Sequence, residues 1–169
     1  MSGDRDFPPA LHALAGLDLD PGEYDYEPYP EFTSAGETTD RLRSWTGNDE
    51  LDGAPYRVFA QDGTGGLAAL WLTRPGAPLD GQPVVFLGSE GAVGVVARDL
   101  GDFLWLMADG VGPMEAVEFG ATGSAPNAEL RAVAEEFAPG RERTAAAVLA
   151  AARAEFPDFA EEFLASCRH

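Results

Sequence analysis

The sequence predicts an α+β domain in which a central antiparallel β-sheet forms a meander and helices pack on one face. Between residues 56 and 97, short strand-like runs are joined by glycine-containing turns. From residue 99 onward, apolar residues recur with helical spacing. A run of strands followed by a run of helices is typical of α+β folds, in which helices pack against an antiparallel sheet.

The chain has 169 residues, a length that suits one compact domain. We expect residues 1–36 to form an acidic arm that contains proline and tyrosine. Residues 37–169 are expected to form a single α+β domain with helices at its C-terminal end. The N-terminal stretch lacks a signal-peptide core, and no apolar run approaches the ~20 residues of a membrane span, so we expect a cytoplasmic protein.

The first third of the chain is predicted to contain two short helices. PPALHALAG at 8–16 begins with prolines, which the first turn of a helix tolerates. TTDRLRSW at 38–45 would turn Leu42 and Trp45 inward. Between them, repeated prolines exclude regular helix, so we expect an extended segment that packs on the domain through its aromatic residues.

Two strand pairs follow. YRVFAQ at 56–61 alternates, which places Tyr56, Val58 and Ala60 on one side of the strand. LAALWLT at 67–73 comes after the short DGTGG segment, so the two runs are predicted to form a hairpin.

The segment VFLGSEGAVGVVA at 85–97 carries three glycines spaced three apart, which raises the question of a phosphate-binding loop. The spacing fits neither the dinucleotide fingerprint nor the P-loop, and the segment has no lysine. A strand-like run follows, where a phosphate site needs a helix N-terminus. We therefore predict a second hairpin turn in which glycine supplies positive φ angles.

The remaining elements are predicted to be helices. Asp99 is expected to cap a helix whose apolar residues fall at i, i+3, i+4 and i+7 through Asp109. A second helix starts at Ser124 or Asn127, and an alanine-rich helix follows the Pro-Gly break at 139–140. Phe159 and Phe163, four residues apart, indicate a last helix.

Charge is the strongest compositional signal. The chain has 29 acidic and 11 basic residues, a formal net charge of −18, and more than half of this lies in residues 1–55. Such a field repels nucleic acids and anionic membranes and attracts basic proteins. We predict no nucleic-acid or membrane partner and a protein partner with a basic surface; the alternative is that the charge serves solubility alone.

No catalytic, cofactor or metal site is predicted. The lone Cys167 excludes an internal disulfide. The nucleophile motif G-x-S-x-G is absent, and a Ser-His or Cys-His pair would have to recruit His12 from the arm or the terminal His169. Asp18, Asp20 and Glu23 are close in sequence but lack the spacing of a calcium loop. A hydrolase that uses paired carboxylates remains an alternative, because any two of the acids can meet in the fold.

The segment GEYDYEPYPEF at 22–32 interleaves tyrosines with acids. Tyrosine is enriched at interface hot spots, and acids steer basic partners. The alternative is that the tyrosines fasten the arm to its own domain. The predicted partner-binding residues are Glu23, Tyr24, Asp25, Tyr26, Glu27, Tyr29, Glu31, Asp62 and Glu90.

The chain carries three motifs in this order: YRVFAQDGTGGLAALW at 56–71, PVVFLGSEG at 83–91 and VVARDLGDFLWLMADG at 95–110. Together they resemble the bacterial SUKH superfamily, which includes the Smi/Knr-type domains. The usual opening helix of that family is not recognisable before residue 45. The matching positions are Phe59, Asp62, Gly63, Gly65, Trp71, Pro83, Gly88, Glu90, Gly91, Phe103 and Leu104.

This resemblance implies an α+β fold with a central antiparallel sheet, no catalysis and no cofactor. Many bacterial members of the superfamily are immunity proteins that bind and neutralise toxins, often nucleases. The expectation is therefore an immunity-type protein that covers the basic surface of a toxin. A regulatory scaffold with a different partner is the alternative that the resemblance leaves open.

Overall fold

The computed structural model of the chain describes residues 6–19, 26–88, 91–121 and 126–167. These residues form five strands and seven helices. The strands are β1 (Glu27–Pro28), β2 (Tyr56–Gln61), β3 (Leu67–Trp71), β4 (Val84–Leu87) and β5 (Val93–Ala97). The helices are α1 (Pro9–Ala15), α2 (Ala35–Thr46), α3 (Leu100–Ala108), α4 (Pro113–Phe119), α5 (Ala128–Phe137), α6 (Ala145–Glu155) and α7 (Phe159–Ala165).

The five strands form one antiparallel sheet in the order β1-β2-β3-β4-β5, which confirms the predicted α+β meander. The turns after β2 and β4 are hairpins, as predicted, and each leads into a strand. Gly65 and Gly91 both have φ +93°, which favours glycine. A Cβ at Gly88 would lie 2.4 Å from the carbonyl oxygen of Ala92, so this position requires the absence of a side chain.

Helices pack on both faces of the sheet, which corrects the prediction of one face. On the first face, α1, α3, α5 and α6 cover side chains that include Phe59 and Phe86. On the second face, α2 and α7 cover Val58 and Val85. Every residue of β4 is buried, as expected for a strand that is covered on both sides.

A β-bulge in β2 changes the predicted alternation. Val58 pairs with Ala69 and Ala60 pairs with Ala68, so Phe59 is an extra residue on the β2 side. Phe59 and Ala60 therefore share the first face. The ring of Phe59 meets that of Phe103 edge-on, with centroids 5.6 Å apart.

Side-chain caps explain where several helices begin. Asp99 accepts a hydrogen bond from the Asp102 backbone N–H, and Asn127 accepts one from Leu130, as predicted for α3 and α5. Ser34 accepts from the Glu37 N–H, so α2 begins earlier than its apolar pattern indicated. Gly47, with φ 69°, ends that helix.

A buried carboxylate ties the loop after α5 to the start of α3. Asp102 is fully buried, and its Oδ1 accepts a hydrogen bond from Arg141 Nη2 at 2.9 Å. Arg141 also donates to both carboxylate oxygens of Asp99, at 2.8 and 3.0 Å. Arg98 and Arg143 approach Asp102 Oδ2 at 3.4 and 3.7 Å. We call these five residues the Asp102 cluster.

None of the helices in the described part of the chain combines the length and the apolar character that crossing a bilayer requires.

Candidate functional site

The described end of the N-terminal arm belongs to the sheet. Glu27 lies opposite Gln61, and Pro28 lies opposite Ala60. The Tyr29 backbone N–H donates to the carbonyl of Phe59, the residue at the bulge, at 2.9 Å. The arm therefore adds an edge strand to the domain beside the bulge in β2.

Tyr26 is one of the predicted partner-binding residues that the structure corrects. Its side chain is buried, with its ring 6.3 Å from that of Phe103. Burial raises the pKa of the Tyr26 hydroxyl well above its ordinary value. Tyr26 fastens the arm to its own domain and does not face a partner.

Asp62 is the second correction. It is 2% exposed, and its Oδ1 accepts hydrogen bonds from the Thr64 N–H at 2.9 Å, the Thr64 hydroxyl at 2.8 Å and the Gly66 N–H at 2.7 Å. This carboxylate shapes the hairpin turn between β2 and β3. It is therefore a turn-forming residue, and the prediction that it contacts a partner was wrong.

Three of the predicted residues, Glu27, Tyr29 and Glu31, lie together at the β1 edge. Glu27 and Glu31 are exposed and Tyr29 is half-buried. The other four predicted residues, Glu23, Tyr24, Asp25 and Glu90, lie outside the described residues.

A chain of polar contacts joins β1, β2 and α2. The Gln61 side-chain N–H donates to Glu27 Oε2 at 2.6 Å, and the Tyr29 hydroxyl donates to Gln61 Oε1 at 2.7 Å. Arg41 Nη1 donates to the Tyr29 hydroxyl at 3.0 Å. Arg41 also forms a longer ion pair with Glu37 at 3.9 Å. These contacts hold α2 beside the sheet edge.

Two cavities adjoin this chain of contacts, and Arg41 and Gln61 line both. The first, of about 630 Å³, is an open cleft lined by residues 29–34 and Glu37. The second, of about 280 Å³, lies between α2 and the strands. We call them the acidic cleft and the Trp45 pocket, and together the α2 groove. The Trp45 pocket is lined further by Leu42, Ser44, Trp45, Gly65, Leu67 and Leu87.

A third cavity, of about 700 Å³, lies between residues 6–9 and the loops at 72–82. It is larger than either of the other two cavities, but none of the predicted partner-binding residues lines it. The α2 groove is the better candidate because the predicted residues that remain exposed line it or border it.

The stretch of chain that supplies α2 and most of the cleft lining is strongly negative. Residues 26–55 contain seven acidic side chains, and all seven are exposed. The same range has two basic residues: Arg41 lies within the groove, and Arg43 donates to the Leu51 carbonyl at 2.8 Å. The two arginines therefore cannot neutralise most of the negative charge of this range. The acids are Glu27, Glu31, Glu37, Asp40, Asp49, Glu50 and Asp52.

The edge strand does not favour pairing with a further strand. Pro28 within β1 and Pro30 just beyond it have no backbone N–H to donate. Prolines at a sheet edge are a common protection against strand addition. Recognition at this edge therefore depends on side chains.

The lining of the α2 groove offers carboxylates, hydroxyls and apolar walls. As far as the structure describes the lining, it contains no histidine or cysteine. Within the described ranges, no cluster of three or more His, Cys, Asp or Glu side chains is placed to hold a metal ion. The arrangement suits recognition of a charged surface.

Nothing in the sequence indicated that Arg41, Gln61 and Trp45 line one pocket. Their proximity depends on the packing of α2 against the strands. One local signal was present, since Ser34 and Glu37 have the spacing of a capping box and Glu37 and Arg41 stand four apart. That signal indicates that α2 begins directly after the arm in the sequence.

Comparison with protein-family models, with curated proteins and with solved structures finds no match to this chain. Several positions of the SUKH-like motifs have structural roles. Phe59, Phe103 and Leu104 are buried in the core, and Asp62 and Gly65 form the first hairpin turn.

Proposed function

We propose that the chain is a non-catalytic protein-binding module that captures a basic protein with the α2 groove. The observation that carries the proposal is a groove that joins an apolar pocket to a cleft lined by the exposed Glu31 and Glu37. Residues 26–55, which supply α2 and most of the cleft, carry seven exposed acids. Two arginines in the same range leave a local net charge of −5. A surface of this kind attracts a cationic partner, and its pocket supplies an anchor point.

Each part of the groove has its own effect on binding. Exposed acids raise the association rate with a basic surface, and salt weakens this steering. An apolar pocket that excludes water slows dissociation, because buried anchors contribute most of the binding energy at protein interfaces. The combination favours fast capture followed by a long-lived complex.

The resemblance to SUKH domains extends the proposal to an immunity-type protein in the cytoplasm. Its partner is then a nuclease-like toxin, whose nucleic-acid-binding surface must be basic. An acidic groove docked on that surface excludes the nucleic acid by occlusion. A regulatory scaffold would use the same groove for a partner that is not toxic.

Affinity capture from a lysate of the host, read by quantitative mass spectrometry, tests the proposal. Three forms of the chain are compared: the natural sequence, a groove variant and a control variant. The groove variant carries Glu27→Gln, Glu31→Gln and Glu37→Gln. The control carries Glu129→Gln, Glu136→Gln and Glu162→Gln, which remove the same charge from exposed positions on α5 and α7.

We expect a basic protein that the natural chain and the control capture equally and that the groove variant loses. Identical capture by all three forms would contradict the proposal. A captured protein that degrades nucleic acid, and loses this activity when bound, supports the immunity role. A captured protein without such activity favours the regulatory scaffold.

A further inference from the structure

The Trp45 pocket differs from the rest of the acidic surface in having apolar walls. Leu42 and Trp45 come from α2, Leu67 from β3 and Leu87 from β4. Its volume of about 280 Å³ lies just below the ~300–1,000 Å³ range of pockets that hold small molecules. This size fits one large side chain from a partner.

The mouth of the pocket is open. Gly65 lies at the tip of the β2–β3 hairpin, and a Cβ built on it meets no atom within 4 Å. Ser44, on the other wall, is exposed. Trp45 is half-buried and lines the pocket, so part of its side chain is accessible from outside the fold. A side chain of a docked protein can enter without displacing the core.

The negative charge of the acidic cleft restricts which partner segment can insert a side chain into the Trp45 pocket. The pocket and the acidic cleft share Arg41 and Gln61, so residues that flank the inserted side chain pass over the cleft. There they meet Glu31 and Glu37, which are exposed. An acidic or neutral flank gains nothing from this field, whereas arginine or lysine pairs with it.

We infer that the Trp45 pocket receives a single aromatic or large aliphatic side chain that stands between basic residues on the partner. This inference rests on the proposed function, because it assumes that the partner docks on the α2 groove. It adds the chemistry of the recognised segment: one apolar anchor flanked by arginine or lysine. The apolar anchor determines how long the complex lasts, and the flanking arginine or lysine residues determine the association rate.

Three capped peptides of equal length provide the probes: Arg-Arg-Phe-Arg-Arg, Arg-Arg-Ala-Arg-Arg and Glu-Glu-Phe-Glu-Glu. Binding is followed by the indole N–H signals of ¹⁵N-labelled protein, which has three tryptophans. The Trp105 indole is engaged with the Ala138 carbonyl at 2.9 Å, and Trp45→Phe identifies the Trp45 signal. We expect the Phe-containing basic peptide to shift that signal and to bind about tenfold more tightly than the Ala peptide, a difference of ~1.4 kcal/mol.

A pocket-filling variant provides the second measurement. Ser44→Phe places a ring at the mouth of the pocket from an exposed helix position, and Ala132→Phe adds the same ring at an exposed position on α5. Retained dispersion of the amide signals shows that each variant is folded. We expect Ser44→Phe to remove the advantage of the Phe peptide and leave the Ala peptide unchanged, whereas Ala132→Phe changes neither.

Equal binding of the two basic peptides, or an unchanged advantage in Ser44→Phe, would overturn the inference. The charge variant Glu31→Gln/Glu37→Gln separates this failure from failure of the proposed function. If it weakens both basic peptides equally, the acidic groove binds cations and only the anchor is wrong. If neither basic peptide binds better than the acidic one, the acidic groove has failed as a site for cations.

Discussion

Two acid–arginine pairs in this chain have the same spacing and opposite surroundings. Glu37 and Arg41 on α2 are 3.9 Å apart, with 57% and 39% of their side chains exposed. Arg98 and Asp102 are 3.4 Å apart, but Asp102 is fully buried and two more arginines approach it. Both charges of the first pair are exposed to solvent, whereas the carboxylate of the second pair is buried and binds arginines within the fold.

The difference shows that the acids in the described part of the chain include two kinds, buried and exposed. Acids of the Asp102 cluster are compensated by Arg141 and its neighbours, so they add little to the external field. Acids around the α2 groove are exposed and mostly lack such partners in the ion pairs described. Exposed acids of the second kind also lie on α5 and α7, at Glu129, Glu136 and Glu162. The groove is the candidate site because its exposed acids adjoin an apolar pocket.

The largest effect is expected at Asp102. Asp102→Ala removes a buried carboxylate that holds arginines from two segments, and should lower the free energy of unfolding by about 3 kcal/mol. Glu37→Ala, the matched change in the exposed pair, should cost no more than about 0.5 kcal/mol. Urea unfolding of both variants measures the difference. Equal costs would show that the two pairs are equivalent after all.

Buried tyrosines extend the contrast to alkaline pH. Burial raises the pKa of Tyr56 from 10.0 to about 12 and raises that of Tyr26 as well. Between pH 10.0 and about pH 12, the Tyr56 hydroxyl has lost its proton in the unfolded chain but keeps it in the folded chain. The contribution of Tyr56 to the free energy of unfolding is therefore fully present below pH 10.0 and is lost as pH rises toward 12. The loss is on the order of 2 kcal/mol.

Urea unfolding between pH 9 and pH 12 tests this on the natural chain and on Tyr56→Phe, roughly spanning the two pKa values. The variant should lose stability less steeply with rising pH. A slope that is the same in both proteins would mean that the Tyr56 hydroxyl is not desolvated in the fold.

Tyr29→Phe should have an intermediate effect. The change removes the hydroxyl that donates to Gln61 and accepts from Arg41, and leaves the ring packed against the second face. Because the site is only half-buried, we expect a loss of about 1 kcal/mol in the free energy of unfolding. Thermal unfolding monitored by circular dichroism provides the measurement. No loss would indicate that the contacts between the sheet edge and α2 do not stabilise the fold.

The smallest effect is expected for the acids of the cleft. Glu31→Gln and Glu37→Gln should each change the free energy of unfolding by less than about 0.5 kcal/mol, because both side chains are exposed. Chemical denaturation of the single variants checks this. A loss above about 1 kcal/mol would assign these acids to the fold and weaken their assignment to a partner.

Elements that depend on local chemistry were predictable from the sequence. Both hairpin turns follow from glycine and aspartate at 62–66 and from glycine at 88 and 91, where φ angles and close approach exclude other residues. Asp99 was also predicted as a cap, and Asn127 was one of two predicted candidates with Ser124, because a helix start requires an acceptor for its first N–H groups. These signals act within a few residues.

Features that depend on distant partners were not predictable. The pairing of β1 with β2 brings together distant parts of the chain, and the backbone N–H groups of Tyr29 and Thr33 donate to carbonyls of β2. Tyr26 looks the same in sequence as Tyr29, yet one is buried against Phe103 and the other is half-buried at the groove. Position in the fold, and not residue type, separates them.

The most direct test of the central claim is the association rate with the captured basic protein at two salt concentrations. Between about 0.1 M and about 1 M salt the Debye length falls from ~10 Å to ~3 Å, so electrostatic steering is largely removed. We predict a steep fall in rate for the natural chain and for the control variant, and a much smaller fall for the groove variant. A rate that is independent of salt, or equal salt dependence in the groove variant, would contradict the claim that the acids of the α2 groove capture the partner.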